Sequence, residues 1–188
     1  MSISVVRILR IINAIDVLMI TLIIGVAFLF QLFAHELPCP LCLLQRMGLL
    51  AMAFGFLLNI RYSPQPAHYA LSLLAAVYTG FVSLRQVALH LTQPQGYGPK
   101  ILGLHMYTWV FVLAVISIVY IAIVMSIPGQ YHWHQNANQK ATYSYKWFFW
   151  LVHAAFIALL IMVAFNWVTT LAECGMRQCP DNPSVYLW

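Results

Sequence analysis

The sequence predicts an all-α polytopic membrane bundle with five transmembrane helices, and three observations carry that expectation. Of the 188 residues, 63% are hydrophobic and 7% charged, against roughly 25% charged in a soluble domain. The apolar residues fall in long runs, unlike the spaced stripes of amphipathic surface helices. Five runs reach the ~20 residues that a helix needs to cross a hydrocarbon core about 30 Å thick.

In chain order the runs occupy 17–34, 41–60, 67–90, 104–127 and 147–172. The first follows Arg7 and Arg10 as a signal sequence would. It is too long for a signal-peptide core and leads straight into Pro38 and Cys39, so it reads as an uncleaved span whose start Asp16 marks. The division is then a four-helix core over 1–127, an inner loop over 128–146, and a fifth span with a cysteine-bearing tail over 147–188. Trp147, Trp150, Trp167 and Tyr107 or Trp109 stand near span ends, where interfacial aromatics anchor a helix.

Lys and Arg favour cytoplasmic loops. Arg7, Arg10, Arg61, Lys140 and Lys146 fall at the N terminus and in the second and fourth loops, whereas the opposite loops and the tail hold Lys100 and Arg177. The expected orientation places the N terminus inside and, after five crossings, the C terminus outside. Both cysteine pairs, Cys39 with Cys42 and Cys174 with Cys179, then face the periplasm; a four-span count would separate them. The charge of +5 is spread over single residues, which argues against nucleic acid as a partner. The eight methionines are scattered through the spans as packing residues.

The sharpest local signal is Pro38-Cys39-Pro40-Leu41-Cys42-Leu43-Leu44-Gln45-Arg46 at the entry to the second span. Proline is favoured at the first helical position, so Pro40 makes Cys39 the N-cap and puts Cys42 in the first turn. Both sulfurs would then feel unpaired backbone N–H groups and the positive end of the helix dipole, which favour the thiolate that attacks disulfides. Arg46 follows Cys42 by four residues, on the same helix face and one turn deeper. A cation at that depth costs of order a few kcal/mol and is a functional candidate by default. It would stabilise an acceptor that becomes anionic on reduction, and a quinone head group fits that description. The bland alternatives are a metal half-site for the CxxC and a snorkelling Arg46.

The run PCPLCLLQR, with Gln31 eight residues before Cys39, resembles the DsbB family of disulfide bond formation proteins. Ser83-Leu84-Arg85-Gln86-Val87 is similar to part of that family's third span, and Leu102-Gly103-Leu104-His105-Met106-Tyr107-Thr108-Trp109 to its entry into the fourth. The resemblance covers about 11–127. It implies a four-helix bundle around the two cysteines and a bound quinone, ubiquinone or menaquinone. It also implies that Cys42 meets the quinone, that Cys39 is the more exposed sulfur and exchanges with a second disulfide, and that Arg46, with Gln31 and Arg85 as further candidates, lines the quinone site. The implied electron donor is a reduced periplasmic thioredoxin-fold protein of the DsbA type.

The chain departs from that pattern in one respect. The family's second cysteine pair lies between spans three and four, but here 91–103 holds no cysteine, and Cys174 and Cys179 follow a fifth span instead. They read either as the relay to the soluble donor or as a clip ordering the tail, which for so short a loop contributes about 2 to 3 kcal/mol. Arg85 reads either as a lining of the quinone cavity or as a partner of lipid head groups. His132 and His134 form an HxH in the inner loop, across the membrane from the thiols.

The expectation is therefore an inner-membrane thiol oxidase in which Cys39, Cys42, Cys174 and Cys179 carry the redox chemistry. The alternative is a binding or transport protein passing a soft metal such as copper through the same thiols. A third reading, flow reversed as in reductases of the vitamin K epoxide type, is disfavoured because their CxxC sits near the end of the bundle.

Overall fold

The computed structural model describes residues 2–33, 37–91, 98, 100–131, 146–180 and 186. Its long helices are α1 (Ser2–Phe33), α2 (Pro40–Tyr62), α3 (Pro66–His90), α4 (Met106–Met125) and α5 (Lys146–Cys174). Two short strands, β1 (Lys100–Ile101) and β2 (Leu104–His105), pair antiparallel ahead of α4, and a single 3-10 turn, Pro128–Gln130, follows it. All five helices are long and apolar enough to cross a membrane. The chain is a helical, multi-pass membrane protein.

Four spans fall within a few residues of their expected limits, and the first does not. α1 starts at Ser2, because the residues that lower hydropathy before position 17 do not break the helix. Arg7, Arg10, Asn13 and Asp16 recur every three residues, each one turn from the next, along a polar strip that winds round the helix. Arg10 and Asn13 are buried. The Asn13 amide donates to the Leu9 carbonyl at 2.6 Å and to the Tyr69 hydroxyl at 3.1 Å. Asp16 does more than mark the start of a span, since its carboxylate accepts from the Tyr120 hydroxyl at 2.7 Å and ties α1 to α4.

α2 packs on α3, α3 on α4, and α1 on α2, while α5 lies against α1 and α2 on the outside of this arrangement. In lipid there is little hydrophobic gain from bringing helices together, so close contact depends on small residues. Gly48 and Gly55, two turns apart on α2, face Thr79 and Ser72 of α3. A Cβ at Gly55 would come within 2.7 Å of the His68 carbonyl oxygen and 2.9 Å of the Ser72 nitrogen, both backbone atoms. The Ser72 hydroxyl donates across the same seam to the Met52 carbonyl at 2.9 Å.

On α5 the buried residues Phe148, Val152, Ala155, Leu159, Asn166, Thr169 and Glu173 follow a helical period. The helix ends where Gly175 turns to φ 61° and its N–H bonds to the Leu171 carbonyl at 2.7 Å, a left-handed cap that glycine adopts without a Cβ penalty. Trp147, Trp150 and Trp167 are exposed, as anchoring residues should be. Tyr107 is not one of them: it is buried, whereas Trp109 donates its indole N–H to the Ile101 carbonyl at 2.8 Å and holds the hairpin against α4. His132 and His134 lie outside the described residues.

Because the α2–α3 contact is backbone to backbone at Gly55, Gly55→Ala is expected to lower the stability of the detergent-solubilised protein by about 1 to 3 kcal/mol. Gly25→Ala is the control, since a Cβ there meets nothing within 4 Å. Thermal unfolding followed by circular dichroism compares them, and equal midpoints would refute the assigned seam.

Candidate functional site

The N terminus of α2 has the local geometry its sequence specifies. Cys39 is the N-cap, in an extended conformation (φ −69°, ψ 162°), Pro40 opens the helix, and the Cys39 sulfur accepts the Cys42 N–H at 3.3 Å. Both thiols are free and their sulfurs are 2.7 Å apart in a shared hydrogen bond. Two sulfurs in one hydrogen bond hold a proton between them, so the expectation that both favour the thiolate is corrected to one. The hydrogen bond to Cys42, with burial adding to it, pushes the Cys39 thiol well above the usual thiol range. Cys42, in the first helical turn with the Gln86 amide against its sulfur and Arg46 one turn below, is the sulfur placed to carry a thiolate.

The two cysteines also differ in their surroundings. Cys39 is 7% exposed and Cys42 is half-buried and lines a cavity. What covers Cys39 is in part Gln86 of α3, which is fully buried. Its amide nitrogen donates to the Cys39 sulfur at 3.3 Å and to the Cys42 sulfur at 3.4 Å. Its carbonyl oxygen accepts from the Gln45 amide at 2.7 Å, which fixes the direction in which the donors point.

Sequence reasoning missed Gln86 and chose its neighbour. Arg85 is exposed and turned away from the sulfurs, because adjacent helical residues point about 100° apart. A usable signal was present: Ser72, Thr79, Ser83 and Gln86 form a buried polar stripe at helical spacing on α3.

Arg46 is 7% exposed, so it does not snorkel out of the bundle. Nη1 donates to the Gln31 side-chain oxygen at 2.6 Å and Nη2 to the Ala27 carbonyl at 3.4 Å, while the guanidinium carbon sits 4.5 Å from the centre of the Phe28 ring. Phe165 of α5 meets the same ring edge-on with centroids 4.6 Å apart. Gln31 is buried, and its amide nitrogen donates to the Tyr186 hydroxyl at 3.0 Å.

Cys42, Gln45, Arg46 and Tyr107 share a cavity of about 730 Å³, its open side included, with apolar walls from Ile23, Ile24, Leu49 and Val110. Its apolar walls and few polar groups suit a small planar ligand. Among the described residues, no three His, Cys, Asp or Glu side chains gather as a metal site would require.

Cys174 and Cys179 are joined in a disulfide. Cys174 is buried, and the preceding residue, Glu173, lies within electrostatic range of Arg46 and Cys42. The tail thus starts beside the thiol site, and the Tyr186 bond to Gln31 brings a later part of it back to α1. Tyr186 was not anticipated from sequence, since nothing in the local pattern distinguishes it.

Comparison with known proteins bears on the first half of the chain. Residues 10–98 match the family model described as Disulfide bond formation protein DsbB. The match stops short of α4 and of the stretch 102–109, and α5 and its cysteines lie beyond it. Neither a search of curated proteins nor one of solved structures gives a match.

A hydrogen bond to a charged group contributes about 1.5 to 3 kcal/mol. Gln86→Leu is therefore expected to slow alkylation of the reduced Cys39–Cys42 pair at neutral pH about tenfold or more. Arg85→Ala should leave the rate unchanged. Mass-spectrometric rates of iodoacetamide labelling decide the matter, and an unaltered rate in Gln86→Leu would remove Gln86 from the site.

Proposed function

From the match of residues 10–98, which carry most of α1 and all of α2 and α3, to the DsbB family model, we propose that the chain is a quinone-dependent thiol oxidase of the bacterial inner membrane. The coarser statement stands on the family and the fold: the chain is a membrane-embedded, disulfide-forming oxidoreductase. The observation that carries the finer reading is the Cys42 sulfur on the wall of an apolar cavity that also contains the Arg46 guanidinium.

A quinone bound in that cavity would supply a two-electron acceptor reached from within the bilayer. The residues present fit such a ring, with apolar walls and, among the described residues, polar side chains from Cys42, Gln45, Arg46 and Tyr107. Arg46 is clamped by Gln31, the Ala27 carbonyl and Phe28, so its charge is oriented before any ligand arrives, which is the arrangement that makes electrostatic stabilisation effective. Cys39 and Cys42 are close enough to close into a disulfide with little movement.

On the donor side, Cys174 and Cys179 form the relay that accepts electrons from a soluble thioredoxin-fold dithiol of the DsbA type and passes them to Cys39 and Cys42. The burial of Cys174, its position next to Glu173 and the return of Tyr186 to Gln31 support a tail that works at the mouth of the bundle. The distribution of Lys and Arg supports an N terminus inside and a C terminus in the periplasm. The units in this reading are the core over 1–127, the inner loop over 128–146 and the fifth span with its tail over 147–188.

The deciding experiment is anaerobic quinone reduction by a reduced thioredoxin-fold protein, followed by quinone absorbance. Cys39→Ser and Cys42→Ser are each expected to abolish turnover while the protein still folds; near-normal activity in either would sink the proposal. Arg46→Ala is expected to raise the apparent KM for quinone about tenfold or more, with thiol exchange at Cys39 largely kept. The double variant Cys174→Ser, Cys179→Ser should lose oxidation of the protein donor yet still oxidise a small dithiol. A purely structural disulfide predicts lower stability with both activities unchanged.

A further inference from the structure

The chain has four acidic residues in all, and one of them, Glu173, sits 1% exposed near the end of α5. Among the described residues neither of its carboxylate oxygens has a hydrogen-bond partner. Its direction is not accidental, because it continues the inward stripe of Asn166 and Thr169 on α5. The charged and titratable groups acting on it are Arg46 and Cys42, both of α2. α1 presents the neutral Gln31 to the same guanidinium, and the tail presents Tyr186.

A fully ionised carboxylate in that position, with both oxygens unsatisfied, is expensive, and an intramembrane carboxyl is retained only where it is used. Its charge matters to both neighbours. Ionised, it offsets Arg46 and opposes a negative charge on Cys42; protonated, it leaves the whole Arg46 charge to Cys42.

Building on the thiol-oxidase reading, we propose that Glu173 is a positioning residue that exchanges a proton in step with the Cys39–Cys42 couple. When a donor dithiol reduces the Cys39–Cys42 disulfide, the donor's two S–H bonds are lost and its sulfurs join, while the chain's S–S bond breaks and receives the electron pair. One of the two protons stays on Cys39, Cys42 remains a thiolate beside Arg46, and the second proton resides on Glu173. On reoxidation the electron pair leaves for a quinone-class acceptor, the S–S bond re-forms, and the protons of Cys39 and Glu173 follow. The fifth helix, outside the matched family segment, thereby contributes to the electrostatics of a site built on α1, α2 and α3.

The test needs no quinone, so it stays distinct from a failure of the quinone reading. In a Cys39→Ser background with the tail disulfide intact, the pH dependence of Cys42 alkylation is measured with Glu173 present and with Glu173→Gln. Two linked titrations predict a broad curve with Glu173 and a sharper one in Glu173→Gln, its midpoint lower by about half to one unit. Glu173→Asp should restore part of the breadth. Superimposable curves would overturn the proposal.

Should Glu173→Gln fail to fold, redox infrared difference spectra of the unsubstituted chain answer the same question. Reduction of Cys39–Cys42 should raise a protonated-carboxyl band that shifts on carbon-13 glutamate labelling. The band should survive Glu36→Gln, which removes the only other glutamate, and also Cys174→Ser with Cys179→Ser, which removes the tail disulfide. No such band, or one that vanishes with Glu36, would refute the assignment.

Discussion

A guanidinium enclosed by an apolar bundle has to be compensated locally, and much of the upper half of this molecule is arranged around that requirement. Arg46 is buried, and α1 supplies the Gln31 oxygen, the Ala27 carbonyl and the face of Phe28 to it. Those contacts fix how α1 and α2 lie against each other. Phe165 braces Phe28 from α5, which extends the constraint to the fifth helix. Because Arg46 stands one turn below Cys42, the same clamp sets where the reactive sulfur meets the cavity. Charge placement and thiol placement are a single problem with a single solution.

The rest of the bundle handles its polar groups in the same way. Backbone and side-chain polar atoms that face lipid would go unsatisfied, so they gather on inward stripes and meet across helices. At the end away from the thiols, Asn13 bonds Tyr69, and Asn59 bonds Asn13 and contacts His68. At the thiol end, Gln45 and Gln86 bond each other, and Gln86 directs its amide at both sulfurs. Between them the α2–α3 seam is close, with Gly48 and Gly55 admitting Thr79 and Ser72. Rigidity at that seam is what keeps Gln86 in register with a cysteine pair on another helix.

Where reading from sequence went astray, the errors share a cause. Arg85 was favoured over Gln86 because a cation in a span draws attention, but one residue along a helix is a rotation of about 100°, and it is Gln86 that turns inward. Position near a span end left Tyr107 and Trp109 as equal candidates for the interfacial aromatic, and it is Tyr107 that is buried and lines the cavity. The first span was drawn from position 17 because hydropathy falls before it, whereas the helix runs on from Ser2 and buries Arg10 and Asn13. Averages over a window erase the azimuth of a residue, and azimuth decides its partners.

By itself the sequence determined the spans, their helical nature, the N-cap geometry of Cys39 and the placement of Arg46 one turn below Cys42, since all of these follow from composition and from contacts within a few residues. Gln31 was legible only as a candidate, and Glu173 not at all, although Asn166, Thr169 and Glu173 share a face that could have been read from their spacing. The tertiary structure decided which glutamine holds the pair, that Gln31 grips Arg46, and that the fifth helix brings a carboxyl and a disulfide to the same end. Each of those depends on residues far apart in the chain meeting across helices, where the relative rotation of two packed helices, fixed by the small residues between them, chooses the partners.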